Sequence, residues 1–328
     1  MDVRYCPPDP QVGPSVVTIG IFDGFHKGHH AIVQETVRIA RERSIPAVAL
    51  TFEPHPRAVH CPEHQLPMIT TLADRLSRLE AAGIDIVVIQ KYDLAYAQTT
   101  PEAFIRDQLI GQLGAQAIVV GTDVRFGRDN AGDGEFLRNY CQNYGVDVYL
   151  LADLVSGSGR RYSSTWIREL LDAGNVRKAA KILGRPHRLR GVVQHGFKRG
   201  RELGFPTANL PSDGIGEVPC DGVYAGWLVR MVPDSTATVL LPAAISIGSN
   251  PQFNATQRTV EAHVLGRSDL NLYGEDIAID FVDYVRPMMK MDSVEQLLTQ
   301  MDDDLRKTAQ ILGVPVSYRV NPSDVTAG

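Results

Sequence analysis

The sequence predicts an α/β chain of two domains, a doubly wound parallel sheet followed by a small antiparallel barrel or sandwich. Three observations support this prediction. The chain has 328 residues, more than one ordinary domain needs. Apolar runs of strand length alternate with helical segments in the first half. Short strands and turns replace that alternation near Pro186, which gives predicted domains at residues 1–184 and 185–328.

In the first half, five apolar runs are predicted to be strands: residues 15–22, 46–52, 84–90, 117–121 and 146–151. Helices are predicted at residues 28–43, 71–82 and 134–143. A further helix begins at Thr100, which can cap it, with Pro101 in the first turn. Strands that are apolar throughout and separated by helices are typical of a parallel sheet covered on both faces. The first domain is therefore predicted to be doubly wound.

The second half contains five short predicted strands: residues 189–193, 223–229, 243–247, 259–265 and 277–285. In the last of these, Ile277, Ile279 and Phe281 alternate with other residues and share one face. A final helix follows, with Ser293 as its cap and Gln296 at the third helical position. Its apolar stripe consists of Val294, Leu297, Leu298, Met301 and Leu305. The pattern indicates an antiparallel barrel or sandwich closed by a C-terminal helix.

Composition limits the classes of function. The net charge is −5 and the isoelectric point is about 6.0, so no basic surface for general nucleic-acid binding is expected. No apolar run approaches the ~18 residues that indicate a membrane span. Residues 1–14 contain no apolar core and are not expected to be a secretory signal. The four cysteines form no CxxC pair, which favours a cytoplasmic protein with reduced thiols. From the charge and the apolar runs, neither a nucleic-acid nor a membrane partner is expected.

The strongest local pattern is GIFDGFHKGH at residues 20–29, where a strand ends in a glycine turn and a helix begins. Free N–H groups and the dipole at a helix N-terminus suit a phosphate, and two histidines can donate hydrogen bonds to its oxygens. The candidate catalytic residues are His26 and His29, and the candidate binding residues are Gly20, Phe22, Asp23 and Gly28. The alternative is a pair of solvent-facing or metal-binding histidines in an ordinary loop. The pattern differs from a dinucleotide fingerprint, and the absence of any Gly-Lys dipeptide excludes a P-loop.

A second pattern, SSTWIR at residues 163–168, follows the fifth predicted strand and opens a helix. Hydroxyls at a helix start and an arginine one turn later can clamp a second phosphate. The residues concerned are Ser163, Ser164, Thr165 and Arg168. Taken alone, this pattern is as typical of an ordinary helix N-cap as of a phosphate clamp.

The second half carries a third pattern, GRELGFPTAN at residues 200–209. Thr207 and Asn209 offer hard oxygen ligands of the kind that Mg²⁺ prefers, and Gly200 and Gly204 leave room for a phosphate chain. The alternatives are an Asx-type turn and a solvated loop. Glu261 lies among apolar residues of a predicted strand, where an unpaired carboxylate is costly, so we expect it to reach a cleft and accept a proton. The alternative is an edge-strand carboxylate facing water.

These patterns together resemble a known family. HxGH with a later SSTxIR resembles the α/β nucleotidylyltransferases, which are Rossmann-like, and GxFDGxHxGH is similar to the N-terminal module of the prokaryotic bifunctional riboflavin kinase/FMN adenylyltransferases (FAD synthetases). GRELGFPTAN resembles their riboflavin kinase module. Four further segments match that module in order: DGVY at 221–224, SNP at 249–251, VEAH at 260–263 and LYG at 272–274. The resemblance extends from about residue 16 to residue 312.

The resemblance implies two reactions. The C-terminal β-barrel would phosphorylate riboflavin with ATP to give FMN, with Glu261 as base and with Thr207 and Asn209 holding Mg²⁺ and phosphates. The N-terminal module would adenylylate FMN to FAD with release of pyrophosphate. There His26 and His29 would stabilise the transition state, and Ser164, Thr165 and Arg168 would hold the triphosphate. Asp123 and Phe126 are implied nucleotide or flavin contacts.

The sequence departs from the family pattern at a few positions. Val124 stands where the family usually has an aromatic residue, which puts one contact to nucleotide or flavin in question. Met288 and Met291 replace an acid and a phenylalanine and are expected to pack or gate. Three alternatives remain: a chain with one active module, a flavin or nucleotide sensor without turnover, and a nicotinamide-dependent reductase. The last would need the dinucleotide fingerprint that is missing.

Overall fold

The structure is a computed structural model that describes residues 1–7, 11–63, 67–195, 205–231, 238–249 and 258–320. The chain divides into two compact units. The first comprises Met1–Met68 and Leu72–Ser164, and the second comprises Ile69–Thr71 and Thr165–Gly328. The second unit therefore includes two helices that precede residue 185.

The first unit is built on a six-stranded sheet. Its strands are β1 (Asp2–Tyr5), β2 (Ser15–Ile19), β3 (Ala47–Glu53), β4 (Ile86–Lys91), β5 (Ala115–Gly121) and β6 (Asp147–Leu151). They lie in the order β1-β4-β3-β2-β5-β6, and every neighbouring pair is parallel. The prediction of a parallel sheet is confirmed. Strand β1 was not predicted, because its residues are largely exposed and do not form an apolar run.

Helices cover both faces of this sheet. They are α1 (Lys27–Arg43), α2 (Pro56–His60), α3 (Leu72–Ala81), α4 (Pro101–Ala103, continued by wider π-helical turns over Phe104–Gln112) and α5 (Gly134–Gln142). One apolar core joins the strands to α1 and α3 through Val33 and Leu79, and the other joins them to α4 and α5 through Leu109 and Leu137. Thr100 caps α4 as predicted, since its Oγ1 accepts a hydrogen bond from the Ala103 N–H at 3.2 Å. The doubly wound fold is confirmed.

The second unit contains six antiparallel strands. They are β7 (His187–Val192), β8 (Ala208–Leu210), β9 (Gly222–Met231), β10 (Thr238–Ser249), β11 (Arg258–Val264) and β12 (Asp276–Arg286). The order is β7-β12-β9-β10-β11-β8. A bridge between Gln194 and Asn209, with a 2.8 Å hydrogen bond from the Gln194 N–H to the Asn209 carbonyl, joins the two edges. The sheet therefore closes as a barrel rather than a sandwich.

Among the described residues of this unit, the helices that accompany the barrel are α6 (Ser164–Asp172), α7 (Val176–Leu183) and α8 (Val294–Leu312). Ser293 caps α8 as predicted, since its Oγ accepts a hydrogen bond from the Gln296 N–H at 3.1 Å. A helix packed at one end of an antiparallel barrel buries the apolar stripe of its own surface, and Leu305 and Ala309 of α8 lie in a small core with Phe205. In the part of the chain that the structure describes, no helix has both the length and the apolar character to cross a membrane.

Candidate active sites

The loop between β2 and α1 has an unusual backbone. Phe22 and Phe25 both have positive φ, 54° and 39°, which bulky residues rarely adopt, and Gly24 between them has φ 74°. A hydrogen bond from the Phe25 N–H to the Phe22 carbonyl, 3.0 Å, closes the turn. The strained turn lets the chain leave the carboxyl end of β2 and enter α1 with both aromatic rings buried.

His26 is the N-cap of α1. Its Nδ1 accepts hydrogen bonds from the N–H groups of Gly28, at 3.1 Å, and His29, at 3.3 Å. The neutral ring therefore carries its proton on Nε2, where it is a hydrogen-bond donor. We expected these first-turn N–H groups to be free for a phosphate, and two of them are instead used by His26. A Cβ at residue 28 would lie 3.0 Å from the His26 ring, which explains the glycine there.

The two histidines that the sequence singled out are in contact. The rings of His26 and His29 stack with centroids 3.8 Å apart, and Phe22 meets the His29 ring edge-on at 5.5 Å. Burial, together with the neighbouring His26, holds the pKa of His29 well below its ordinary value, so the ring is neutral at physiological pH. Its Nδ1 is buried and has no hydrogen-bond partner among the described residues. An unsatisfied polar atom of this kind is costly in the free protein and suits a polar ligand.

A cavity of about 380 Å³ opens beside this loop, at the carboxyl ends of the strands. Four predicted binding residues, Gly20, Phe22, Asp123 and Phe126, line it together with His29. Asp123 is oriented by Arg161, whose Nη1 lies 2.6 Å from the carboxylate. Aromatic and aliphatic side chains that the sequence did not single out form much of the remaining wall: Ile32, Phe52, Tyr92, Tyr96 and Phe104. A mainly apolar cavity with a few polar groups is typical of a site for a flat organic ligand.

The second predicted phosphate clamp is divided between the two units. Ser164 begins α6, and its Oγ donates a hydrogen bond to the Asp23 carbonyl at 2.9 Å, which ties it to the histidine loop. Asp23 itself is buried. Ser163 precedes α6 in the first unit, whereas Thr165 and Arg168 belong to the second unit. There the Arg168 Nε lies 3.8 Å from a Glu217 carboxylate oxygen.

The second unit gathers three of the residues proposed for phosphoryl transfer. Glu261 of β11 stands opposite Asn209 of β8 in an antiparallel pair, so their side chains leave the same face of the sheet. The Asn209 Nδ2 donates to the Thr207 Oγ1 at 3.3 Å and to the Thr207 carbonyl at 3.2 Å. Gly200 and Gly204, the two predicted phosphate-approach glycines, lie outside the described residues.

Glu261 lies in the wall of a cavity of about 200 Å³, with Thr207 and His263. Burial raises the pKa of the Glu261 carboxyl, and hydrogen bonds from Thr259 and Thr207 only partly oppose this effect. The alternative of a carboxylate on an edge strand facing water does not hold, since β11 is flanked by β10 and β8. Met288 and Met291 line the same cavity. Thr207 also lines a smaller cavity of about 30 Å³ with Tyr273 and Arg267.

Two features of this second site gave no signal in the sequence. Arg286 of β12 and Asp304 of α8 form an ion pair at 2.7 Å, and both side chains are largely buried in the cavity wall. The His263 Nδ1–H donates a hydrogen bond to the Pro206 carbonyl, 2.8 Å away, while its buried Nε2 has no partner among the described residues. Burial lowers the pKa of His263. Only the folded pairing of distant segments brings these groups together.

The side chains near Thr207 offer oxygen atoms that could hold a metal ion. Within the described residues, no group of three or more His, Cys, Asp or Glu side chains is placed to hold one. The Thr207 hydroxyl, the Asn209 amide and the Glu261 carboxylate supply hard oxygens at adjoining positions. A few such oxygens, with phosphate oxygens and water completing the shell, fit Mg²⁺ and do not fit a softer metal.

Two family models match the chain. The model described as FAD synthetase matches residues 9–166, and the model described as riboflavin kinase matches residues 183–312. The first range contains the histidine loop and its cavity, and the second contains Thr207, Asn209 and Glu261.

Similar proteins carry both activities in their names. A bifunctional riboflavin kinase/FMN adenylyltransferase from Escherichia coli strain K12 is 32% identical over 305 residues, 93% of this chain and 95% of that protein. One of the same name from Pseudomonas fluorescens is 33% identical, over 93% of this chain and 94% of its own length. A third, from Bacillus subtilis strain 168, is 30% identical, and the match covers 88% of this chain and 90% of that protein.

A solved structure titled a macrolide-efflux protein from Streptococcus pneumoniae also matches. The TM-score is 0.83 at 31% sequence identity, and the match covers 94% of this chain and 99% of that one. The likeness extends over both units and includes the parallel sheet and the barrel.

Proposed function

The chain belongs to the bifunctional riboflavin kinase/FMN adenylyltransferase family, and from this premise we propose which residues carry each of its two reactions. It phosphorylates riboflavin with ATP to give FMN, and it transfers an adenylyl group from ATP to FMN to give FAD and pyrophosphate. Its substrates are small molecules. The proposal concerns the division of the chain, the site residues and the metal ion.

We assign adenylyl transfer to residues 1–184 and riboflavin phosphorylation to residues 185–328. The matched ranges of the two family models, 9–166 and 183–312, support this division. So does the placement of the two sets of candidate residues in different compact units, apart from Thr165 and Arg168. The single observation that carries the proposal is that each unit has its own cavity with a candidate catalytic side chain of shifted pKa in its wall, His29 in one and Glu261 in the other.

In adenylyl transfer, a phosphate oxygen of FMN attacks the α-phosphorus of ATP, and the bond to the bridging oxygen breaks as pyrophosphate leaves. The nucleophile is already ionised at neutral pH, so no general base is required. Negative charge builds on the oxygens of the α-phosphate, and the Nε2–H of His26 and the neutral ring of His29 are hydrogen-bond donors suited to them. Positioning and charge stabilisation supply most of the catalysis in reactions of this kind.

The remaining first-unit residues are proposed as binding groups. Gly20, Phe22, Asp123 and Phe126 would hold the flavin or the nucleotide in the cavity that they line. Gly28 allows His26 to cap α1, and Asp23 accepts the Ser164 hydroxyl through its carbonyl. Ser163, Ser164, Thr165 and Arg168 would bind the triphosphate.

In riboflavin phosphorylation, the ribityl 5′-hydroxyl attacks the γ-phosphorus of ATP while the bond to the β-phosphate oxygen breaks and ADP leaves. The hydroxyl proton passes to the Glu261 carboxylate. Burial moves the pKa of Glu261 upward, toward the working pH, which strengthens it as a base. Gly200 and Gly204 would let the backbone approach the phosphates.

We propose Mg²⁺ as the metal ion of this second reaction, held by the Thr207 hydroxyl and the Asn209 amide oxygen together with phosphate oxygens. When bound, it would neutralise phosphate charge. The adjoining hard oxygens support this choice. We also propose that the enzyme acts in the cytoplasm without nucleic-acid or membrane partners; the net charge of −5 and four unpaired cysteines are consistent with that.

Chromatography of the products tests the assignment directly. The purified chain is incubated with riboflavin, ATP and Mg²⁺. FAD is expected; FMN alone would leave only the kinase, and no product would favour a sensor that lost turnover. We do not propose a macrolide-efflux role, which comes only from the name of the pneumococcal protein. Both family models and the three relatives agree on the two enzymatic activities.

A further inference from the structure

Arg75, on α3 of the first unit, is one of the largest fully buried side chains of the described chain. A buried guanidinium is costly unless its N–H groups are bonded and its charge is paired. The Arg75 Nη2 forms an ion pair with Glu53, whose side chain is 41% exposed, and its Nη1 donates to the Ile21 carbonyl at 3.0 Å. Its Nε has no partner among the described residues. The pairing is therefore incomplete as a stabilising device, which calls for another reason for a buried arginine.

That reason lies in the atom that Arg75 bonds. The Ile21 carbonyl belongs to the peptide that leads into Phe22, and Phe22 has a φ of 54°. A bulky residue in this region is strained, so the surroundings must fix the peptide in place. Arg75 does so from α3, and the Thr51 Oγ1 makes a weaker contact with the same oxygen from β3 at 3.4 Å.

The orientation of this peptide determines where the Phe22 ring lies. The ring is 1% exposed, meets the His29 ring edge-on and lines the large cavity. A Cβ at Gly20 would lie 3.1 Å from the ring, so the ring has little room to move on that side. A peptide that turned over would displace Phe22 and remove the support behind His29.

We propose that Arg75 is a positioning residue for adenylyl transfer, acting through the Ile21 carbonyl and Phe22 on His29. The inference rests on the proposed role of the histidine loop. Arg75 is too deeply buried to touch a substrate, so its effect is on geometry. A misplacement of about 1 Å at a reacting group lowers a rate by about 10²-fold, and this sets the expected size.

The test compares Arg75→Met, Arg75→Lys and Arg41→Met in the full chain. Arg41 is the matched control: it is also an arginine of the first unit that bonds a carboxylate, Asp85 at 2.6 Å, and a backbone carbonyl, Gly83 at 3.0 Å, but it lies in the last turn of α1, at the end opposite to the loop. For each variant, kcat and KM are measured for FAD formation from FMN and ATP. FMN formation from riboflavin is measured in the same preparation.

Arg75→Met is expected to lower kcat for FAD formation by about 10²-fold, with KM for FMN and ATP changed less than about threefold. Arg75→Lys keeps a cation that can reach either the Ile21 carbonyl or Glu53 but not both. Its kcat for FAD formation is expected to fall only about tenfold. Arg41→Met should stay within about twofold, and all three should form FMN at the wild-type rate. A loss that appeared in KM alone, or equally in both reactions, would show a merely structural role.

A folded Arg75→Met enzyme with wild-type kcat would overturn the inference. If Arg75→Met fails to fold, Arg75→Lys decides: a tenfold lower kcat with unchanged KM supports positioning, and an unchanged kcat overturns it. Failure of the proposed function would look different, since the wild-type chain would then form no FAD from FMN and ATP.

Discussion

Glu261 and Asn209 face each other across the β8–β11 pair, so the proposed base and the proposed metal-side amide share one face of the barrel. Thr207 joins them through the hydrogen bonds from the Asn209 amide to its hydroxyl and carbonyl. Glu261 is 52 residues from Asn209 in sequence, whereas Thr207 is only two residues from it, and the β8–β11 pairing brings Glu261 to the other two. The proposed phosphorylation site therefore depends on the pairing of β8 with β11 as much as on any local motif.

Glu261→Gln is expected to raise thermal stability at neutral pH. Burial raises the folded-state pKa of this carboxyl above its unfolded value. The protonated Glu261 carboxyl therefore makes its full contribution to folding stability at low pH, and this contribution is lost as the pH rises and the buried carboxyl ionises. Removing the charge relieves that cost. Tm should exceed that of the wild type at about pH 8, and the difference should disappear toward about pH 4.

Differential scanning calorimetry from acid to alkaline pH checks this, with Glu295→Gln, an exposed carboxylate on α8, as the control. A Glu261→Gln variant less stable than the wild type at alkaline pH would mean that favourable contacts outweigh the burial of the charge.

Residues 185–328 are expected to fold alone and to convert riboflavin to FMN. They contain all six strands of the barrel and α8. Helix α7, however, packs within the second unit and buries Val176, Ala179, Ile182 and Leu183. A fragment of residues 165–328 should therefore unfold roughly 10 °C or more above residues 185–328, because each buried apolar side chain contributes about 1.5–3 kcal/mol. Circular dichroism melts of the two fragments give the answer, and an unfolded shorter fragment would contradict autonomy.

His187 is expected to make the second unit sensitive to acid. Burial lowers its pKa to about 4, and its ring pairs with the Glu217 carbonyl at 2.7 Å. The His187 imidazole takes up a proton near pH 6.5 in the unfolded chain but only near pH 4 in the folded chain. The folding stability that is present above pH 6.5 is therefore lost as the pH falls from 6.5 to about 4. At 1.36 kcal/mol per pH unit the loss is about 3 kcal/mol.

The two tryptophans, Trp166 and Trp227, both lie in the second unit, so urea unfolding followed by their fluorescence reports on that unit alone. His187→Gln should lose less stability than the wild type between about pH 7 and pH 4.5. His195→Gln, which alters an exposed histidine of the same unit, is the control. Equal losses in wild type and His187→Gln would refute the role of His187.

Much of the fold could be predicted because its signals are local. The five predicted strands of the parallel sheet and the caps at Thr100 and Ser293 follow from apolar runs and short-range hydrogen bonding. The exposed strand β1, the three-residue strand β8 and the eight-residue helix α7 were not predicted, because each is too short to give a clear periodic pattern.

The candidate sites divide in the same way. His26 and His29 are three residues apart, so the HxGH spacing indicated that they lie close together, although it did not indicate that their rings stack. Other contacts join segments that are distant in sequence: the Glu261–Asn209 strand pair, the Arg286–Asp304 ion pair and the hydrogen bond from Arg75 to the Ile21 carbonyl. No periodicity encodes such contacts. The use of two α1 N–H groups by His26 itself also escaped prediction, since a histidine cap is unusual.

The central claim, two reactions at two separate sites, is tested most directly by measuring both rates in His29→Ala and Glu261→Gln. His29→Ala should slow FAD formation from FMN by about 10²–10³-fold and leave FMN formation from riboflavin nearly unchanged. Glu261→Gln should slow FMN formation by about 10²–10⁴-fold and leave FAD formation from supplied FMN unchanged. If either well-folded variant lost both activities equally, or Glu261→Gln made FMN at the wild-type rate, the assignment would be contradicted.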